Sequence, residues 1–165
     1  MEHLRTHPDE TRSAHQLGAA HLFTQGWAVA AHSLYAVLNS TLANEDRSLL
    51  VVWFCFLQLL ITGLLAEAPY VGTLWRGISK AVSAGYPAGK TFRWWRVSSC
   101  TTDGEVLKNP MFLGESGERT LFSIDCKRGV KIQHLSAFSK EAEVLLMPGA
   151  HFRVKNVITN AGLTI

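Results

Sequence analysis

Two glutamates, Glu141 and Glu143, lie two positions apart immediately before a short apolar run at residues 144–147. Turn signals flank the run, which predicts a short buried strand. Because strand side chains alternate between faces, both carboxylates at the start of that strand would point to the same side. Carboxylates beside a buried strand are costly to ionise unless a cation or a hydrogen-bond donor meets them. The spacing therefore indicates acid/base chemistry.

Arg76 and the pair Ser98 and Ser99 are polar residues set in strand-like sequence. Arg76 ends an apolar and aromatic run, and the serines lie in residues 92–101, whose aromatic and β-branched content predicts a strand. Taken singly, Arg76 has an ordinary explanation as a surface ion pair and Ser99 as a strand hydroxyl. The two glutamates alone would equally suit a solvated loop.

Other candidate sites lack the neighbouring structure or residues that their chemistry needs. Residues 85–91 (GYPAGKT) are one residue short of a phosphate-binding loop and precede a predicted strand, so the helix N-terminus that cradles phosphate is missing. The seven histidines show no HExxH motif, whereas zinc needs about four convergent ligands. No metal is therefore expected. Cys100 and His134 could form a nucleophile–base pair, but a thiol inside an apolar strand is usually structural.

The order of these residues matches the motifs of a known family. Residues 74–77 (LWRG) resemble its aromatic-Arg-Gly strand, residues 97–101 (VSSCT) its aromatic-x-Ser-Thr-Ser strand, and residues 141–146 its ExE loop and strand. Asn39, three residues before Leu42, matches an upstream helix motif. The sequence thus resembles the arginine-specific mono-ADP-ribosyltransferases of the Arg-Ser-Glu class, over about residues 30–158.

Four positions depart from the pattern of that family. Cys100 stands where threonine is usual, Thr101 where serine is usual, Val97 where an aromatic residue is common, and Ala43 where an arginine often follows the helix motif. The Val97 difference is expected to loosen the wall of the pocket. None of the four removes a residue that the chemistry requires.

The resemblance implies roles for four residues in an NAD site. Arg76 would pair with the pyrophosphate of NAD, and Ser99 would orient Glu143 and contact the nicotinamide ribose. Glu143 would bind the ribose hydroxyl and stabilise the positive charge that develops as the bond to nicotinamide breaks. Glu141 would hold the acceptor guanidinium and help remove its proton.

Two further residues are implied for the same site. Gly77 would let backbone groups approach the nicotinamide amide. Phe112 would pack against nicotinamide, with a role in the hydrophobic core as an equal alternative.

The resemblance implies an enzyme that transfers ADP-ribose from NAD, its cosubstrate, to an arginine-containing protein acceptor and releases nicotinamide. Two alternatives stay open, namely an NAD glycohydrolase and a catalytically silent NAD-binding module. The fold it implies is α+β, with N-terminal helices packed on a two-sheet β-sandwich core that holds the NAD cleft.

Helical patterns come before strand patterns along the chain, which also predicts α+β. Leu34, Leu38 and Leu42 form one apolar helix face that ends at residues 43–46. Residues 49–65 are uncharged and suit either a core helix or a short membrane span. We expect a core helix, because a span so close to Arg76 would leave a sheet face uncovered. Strands are predicted at residues 72–78, 92–101, 121–126, 130–132, 144–147 and 152–154.

The bulk composition fits one compact domain of 165 residues, with 47% hydrophobic and 18% charged residues. We expect a flexible tail at residues 1–16 and a single domain at residues 17–165. A net charge of +3 without a basic patch argues against nucleic acid. Three cysteines without CxxC spacing favour a reducing compartment, and the polar N-terminus is unlike a signal peptide. The expected location is therefore cytoplasmic or unknown, and no membrane span is expected.

Overall fold

The computed structural model describes residues 13–108, 113–114, 116–137, 142–160 and 162–165. Helices come first and strands follow, so the prediction of a mixed helix-and-strand fold is confirmed. The helices are α1 (Ala14–Thr24), α2 (Leu34–Ala43) and α3 (Phe54–Leu65), with 3-10 helices at Ala30–His32, Arg47–Trp53, Ser83–Gly85 and Gly104–Lys108. The strands are β1 (Pro69–Ile78), β2 (Thr91–Trp94), β3 (Ser98–Thr101), β4 (Arg119–Lys131), β5 (Glu143–Leu146), β6 (Ala150–Arg153), β7 (Thr159–Asn160) and β8 (Leu163–Thr164).

The strands form a six-stranded sheet and a separate pair. The larger sheet has the order β1-β3-β5-β4-β8-β7, and β1 also pairs with β4. Strands β2 and β6 form the second sheet. All pairs are antiparallel except β4 with β8. The arrangement of the two sheets as a sandwich stays a prediction.

Two strand predictions need correction. The predicted strand at residues 92–101 is interrupted, because β2 joins β6 in one sheet and β3 joins β1 and β5 in the other. The strands predicted at residues 121–126 and 130–132 are parts of one long strand, β4. Polar residues between these two patches obscured that continuity in the sequence. The backbone pairing with β1 carries the strand across them, from Thr120 to Val130.

Helix α1 begins inside the predicted tail. Ser13 caps it, accepting from the Gln16 N–H, and the Gln16 side chain accepts from the Ser13 N–H, which forms a capping box. The helix therefore starts at Ala14, while residues 1–12 lie outside the described chain. Helix α1 packs closely on α3, since a Cβ added at Gly63 would lie 3.0 Å from the Gln16 Cβ.

The apolar stretch at residues 49–65 lies within a continuous helical segment, Arg47–Leu65. By length and composition alone this segment could cross a membrane, and 22% of its apolar window is buried. Leu57, Leu60 and Leu64 face the core, whereas Val52 is 85% exposed. One such helix is weak evidence for a span, because core helices pass the same test. The segment thus contributes one face to the core.

The buried residues form two hydrophobic clusters. One contains residues of all three helices together with Val97, Val130, Ile132, Leu135 and Leu145. The other consists of Leu74, Cys100, Ile124, Cys126, Val144 and Leu146. Strand β5 contributes alternate residues to the two clusters, Leu145 to the first and Val144 and Leu146 to the second, so this strand is packed on both faces.

Candidate active site

Glu143 is the first residue of β5 and lies opposite Thr101 of β3. Its side chain is buried, with the residue only 9% exposed. Burial raises the pKa of the carboxyl above its ordinary value, while hydrogen bonds from Ser99 and Ser136 act to lower it. The result is a carboxyl of raised pKa that two hydroxyl groups orient.

The strand register places Ser99 beside Glu143. Ser99 pairs with Leu145, two residues after Glu143, so the two side chains are diagonal neighbours on one face of the β3–β5 pair. The structure thus brings together the serine and the glutamate that the motifs single out. Ser98, the other residue of the serine pair, is buried and donates to the Arg96 carbonyl at 3.4 Å.

Arg76 reaches the same region from β1. Its Nη1 donates to the Ser99 carbonyl oxygen at 2.5 Å, and its Cζ lies 5.7 Å from the centre of the Trp94 ring. Trp75 pairs with Thr101, so their side chains share one face of the sheet. The Arg76 side chain leaves β1 on the other face. The guanidinium is therefore joined to Glu143 through the backbone and hydroxyl of Ser99.

Gly77 has a packing role in the described structure. A Cβ at this position would lie 2.6 Å from the Leu113 Cβ and 3.1 Å from the Leu113 backbone nitrogen. Any larger residue at position 77 would displace Leu113. Phe112 and Glu141 lie outside the described residues, so their predicted roles stay predictions.

Residues other than the predicted ones contribute to the site. Trp94 supplies the aromatic face under Arg76, and Ser136 donates to Glu143 Oε2 at 3.3 Å. The aromatic run around Trp94 was visible in the sequence, but nothing there linked it to Arg76. Ser136 gave no signal, because only the turn before β5 brings its hydroxyl to the carboxylate.

The rejected candidates keep their ordinary explanations. Burial raises the pKa of the Cys100 thiol to about 12, which leaves no thiolate for nucleophilic attack near neutral pH. Lys90 precedes β2 and donates to the Gly85 carbonyl at 2.8 Å. Within the described part of the chain, no group of three or more His, Cys, Asp or Glu side chains could hold a metal ion.

The arrangement combines a fixed guanidinium, an aromatic ring, a hydroxyl and a buried carboxyl. An arginine held by one hydrogen bond presents further N–H donors suited to a phosphate or carboxylate. A buried carboxylate stabilises positive charge more strongly than an exposed one. The site suits a reaction on an anionic substrate in which a cationic centre develops.

One protein-family model matches most of the chain. Residues 26–164 match the family described as NAD:arginine ADP-ribosyltransferase. No curated protein sequence matches the chain significantly.

Solved structures of ADP-ribosyltransferases resemble the chain. Vis, from Vibrio splendidus, solved in complex with agmatine, is 26% identical with a TM-score of 0.71, over 92% of this chain and 72% of that one. HopU1 of Pseudomonas syringae is 18% identical, with a TM-score of 0.70 over 99% and 81%. The eukaryotic mono-ADP-ribosyltransferase ART2.2 is also 18% identical, with a TM-score of 0.65 over 97% and 67%. The last two show similarity of fold.

Proposed function

Because the chain belongs to the NAD:arginine ADP-ribosyltransferase family, we propose that it transfers ADP-ribose from NAD to an arginine side chain of a protein acceptor. Family and fold support NAD-dependent ADP-ribosyl transfer in general. The choice of arginine is supported by the predicted ExE pair and by the agmatine complex of Vis, since agmatine carries a guanidinium group.

The observation that carries the proposal is the connection of Arg76, Ser99 and Glu143 across three strands. Arg76 donates to the Ser99 carbonyl at 2.5 Å, and the Ser99 side chain is a diagonal neighbour of Glu143 on the β3–β5 pair, where it acts to lower the pKa of that carboxyl. Each residue comes from a different strand, so the fold assembles the set. Surface ion pairs and strand hydroxyls, their ordinary explanations, would not require this convergence.

In the proposed reaction, the bond between nicotinamide and the ribose carbon breaks, and nicotinamide leaves with the electron pair. Arg76 would hold the pyrophosphate with its guanidinium fork, and Glu143 would bind the ribose and stabilise the positive charge at the reacting carbon. A nitrogen of the acceptor guanidinium would then bond to that carbon.

The acceptor needs help from the protein, because free guanidinium has a pKa above about 12 and is a poor nucleophile. Glu141 would hold it and accept the proton that it releases. Glu141 would therefore distinguish a transferase from an NAD glycohydrolase. Phe112 is proposed to pack against nicotinamide, and Gly77 to let backbone groups approach the nicotinamide amide.

Incubation with labelled NAD and either agmatine or polyarginine tests the proposal. Labelled acceptor together with free nicotinamide is the expected result. Free ADP-ribose without labelled acceptor would show a glycohydrolase instead. Neither product, under conditions in which NAD binding is measurable, would show a catalytically silent NAD-binding module.

A further inference from the structure

The chain segment that leads into the two glutamates is held by the end of helix α1. His21 Nδ1 donates to the Leu135 carbonyl at 3.1 Å, and the Ala137 N–H donates to Thr24 Oγ1 at 2.9 Å. The Thr24 hydroxyl in turn donates to the His21 carbonyl at 2.9 Å. The Thr24 hydroxyl therefore links helix α1 to Ala137, and its two hydrogen bonds fix the orientation of the Thr24 side chain.

The same segment carries Ser136, whose Oγ donates to Glu143 Oε2 at 3.3 Å. A tight turn sets the position of Ser136, since the N–H groups of Leu135 and Ser136 both donate to the Ile132 carbonyl, at 2.8 and 2.7 Å. The Ile132 N–H donates to the Glu143 carbonyl at 3.1 Å. The backbone of the turn and the Ser136 side chain thus both contact Glu143.

Helix α1 gives this turn a rigid support. Phe23 is 1% exposed and belongs to the same hydrophobic cluster as Leu135. Gln16 Nε2 donates to Thr62 Oγ1 at 2.9 Å, which ties α1 to α3. The family match begins at residue 26, so the supporting helix lies outside it.

We propose that Ser136 is a positioning residue for Glu143 and that Thr24 holds it in place from α1. Ser136 orients the carboxylate from the side opposite to β3, where Ser99 stands. Thr24 acts indirectly, because it holds the N–H of Ala137, the residue that follows Ser136 in the chain. This inference rests on the proposed function, in which Glu143 acts on the NAD ribose.

The charged groups around Glu143 determine how the pKa of Glu143 responds when the Ser136 hydroxyl is removed. Charged or titratable groups on the elements around Glu143 include Arg76 of β1, Cys100 of β3, His21 of α1 and Lys131 of β4, which pairs with Val144. His134, in the turn after β4, pairs with Glu67 at 2.9 Å. None of these replaces a donor at Glu143 Oε2. Removal of the Ser136 hydroxyl therefore raises the pKa of Glu143, because that hydrogen bond favours the ionised form.

The test compares two pairs of variants of the whole chain. Ser136→Ala removes the donor, and Ser136→Thr restores a hydroxyl. Thr24→Val removes the acceptor for Ala137 with little change of shape, and Thr24→Ser restores it. Thr41→Val is a matched control, because the Thr41 hydroxyl donates to the Val37 carbonyl within α2.

The expected result is a loss of turnover with little change in the KM for NAD. Ser136→Ala should lower kcat for NAD cleavage about three- to tenfold, the equivalent of one hydrogen bond. The acid limb of the pH profile should move upward by about 0.5–1 pH unit. Thr24→Val should show the same shift in smaller measure, and adding it to Ser136→Ala should have no further effect. Thr24→Ser and Ser136→Thr should recover the wild-type profile.

Two measurements keep this inference separate from the proposed function. Carboxyl NMR titration of Glu143 should give a higher pKa in Ser136→Ala than in wild type, whether or not arginine is modified. Hydrogen exchange at the Ala137 amide should be faster in Thr24→Val and unchanged in Thr24→Ser. An unchanged Glu143 titration overturns the inference for Ser136 even in an active enzyme. Unchanged exchange at Ala137 overturns it for Thr24. An inactive wild type that nonetheless shows both changes refutes the proposed function alone.

Discussion

Asn39 of α2 and Val97, the residue before β3, are joined by two hydrogen bonds. Asn39 Nδ2 donates to the Val97 carbonyl at 3.1 Å, and the Val97 N–H donates to Asn39 Oδ1 at 2.8 Å. Both residues are buried. One side chain therefore satisfies the donor and the acceptor of a backbone unit two residues from Ser99, and couples the helices to the strand that carries the site.

The first prediction concerns this link. Asn39→Ala should lower the free energy of unfolding by about 2–4 kcal/mol, because two buried backbone groups lose their partners. Asn39→Asp should also destabilise the protein, since a carboxylate accepts from Val97 but cannot donate to it. Urea unfolding followed by circular dichroism measures both. Asn156→Ala, at an exposed position, is the control and should change stability by less than about 0.5 kcal/mol. An equal loss in the control would refute a specific role for the link.

A second prediction separates the geometry of Arg76 from its charge. Arg76→Lys keeps the positive charge but loses the planar fork that also contacts Ser99 and Trp94. The KM for NAD should rise about 10–100-fold, the equivalent of a lost bidentate contact with phosphate. Steady-state kinetics at saturating acceptor measures this. Arg93→Lys, on β2, changes a similar arginine that donates to the Gly149 carbonyl, and its KM should stay near wild type. Equal effects of the two substitutions would contradict a phosphate role for Arg76.

A third prediction divides the work of the two glutamates. Glu143→Gln should lower NAD cleavage and arginine transfer together by about 10²–10⁴-fold, the range for a positioned acid/base group. Glu141→Gln should lower transfer far more than hydrolysis of NAD, because only the acceptor needs it. Labelled NAD with and without agmatine measures both activities in each variant. If Glu141→Gln reduced the two activities to the same extent, the assignment would be wrong.

The cysteines give a fourth prediction. Cys55 is exposed, whereas Cys100 and Cys126 are buried, and burial raises the pKa of both buried thiols. In the native protein a thiol reagent should therefore modify Cys55 rapidly and the other two only after denaturation. Counting modified thiols by mass spectrometry tests this, with Cys55→Ser as the control. Rapid modification of Cys100 would reopen its role as a nucleophile.

The sequence predicted the site best where a motif coincides with a strand. Ser99 and Glu143, both singled out by the order of the family's motifs, lie on the paired strands β3 and β5. The helix at α2 followed equally from its apolar spacing. These features are local, so periodicity and motif order were sufficient to find them.

The contacts that hold the site could not be read in the same way. Trp94 reaches Arg76 from a different sheet, and Ser136 reaches Glu143 through a turn with no distinctive residues. The break between β2 and β3 was also missed, because the aromatic and β-branched pattern runs through it. Each of these depends on how the chain turns between elements and on which strands pair, and the spacing of residue types within one element does not encode either.

The final prediction follows from the burial of Glu143, which raises its pKa in the folded protein above the unfolded value of about 4.3. Between these two pKa values the folded state binds more protons than the unfolded state, so stability falls as pH rises through that window. Above that window the buried carboxylate is ionised and destabilises the fold. Glu143→Gln should raise Tm at pH 7, and this gain should shrink as the pH approaches 4.

Thermal unfolding of wild type and Glu143→Gln from pH 4 to pH 8 measures the effect. Glu118→Gln, at an exposed glutamate, should leave Tm nearly constant relative to wild type across the range. A gain in Tm for Glu143→Gln that did not depend on pH would show that packing, and not the charge, had changed. A gain confined to higher pH, together with the loss of NAD cleavage, would mean that the protein keeps a destabilising carboxylate at this position because the reaction needs its charge.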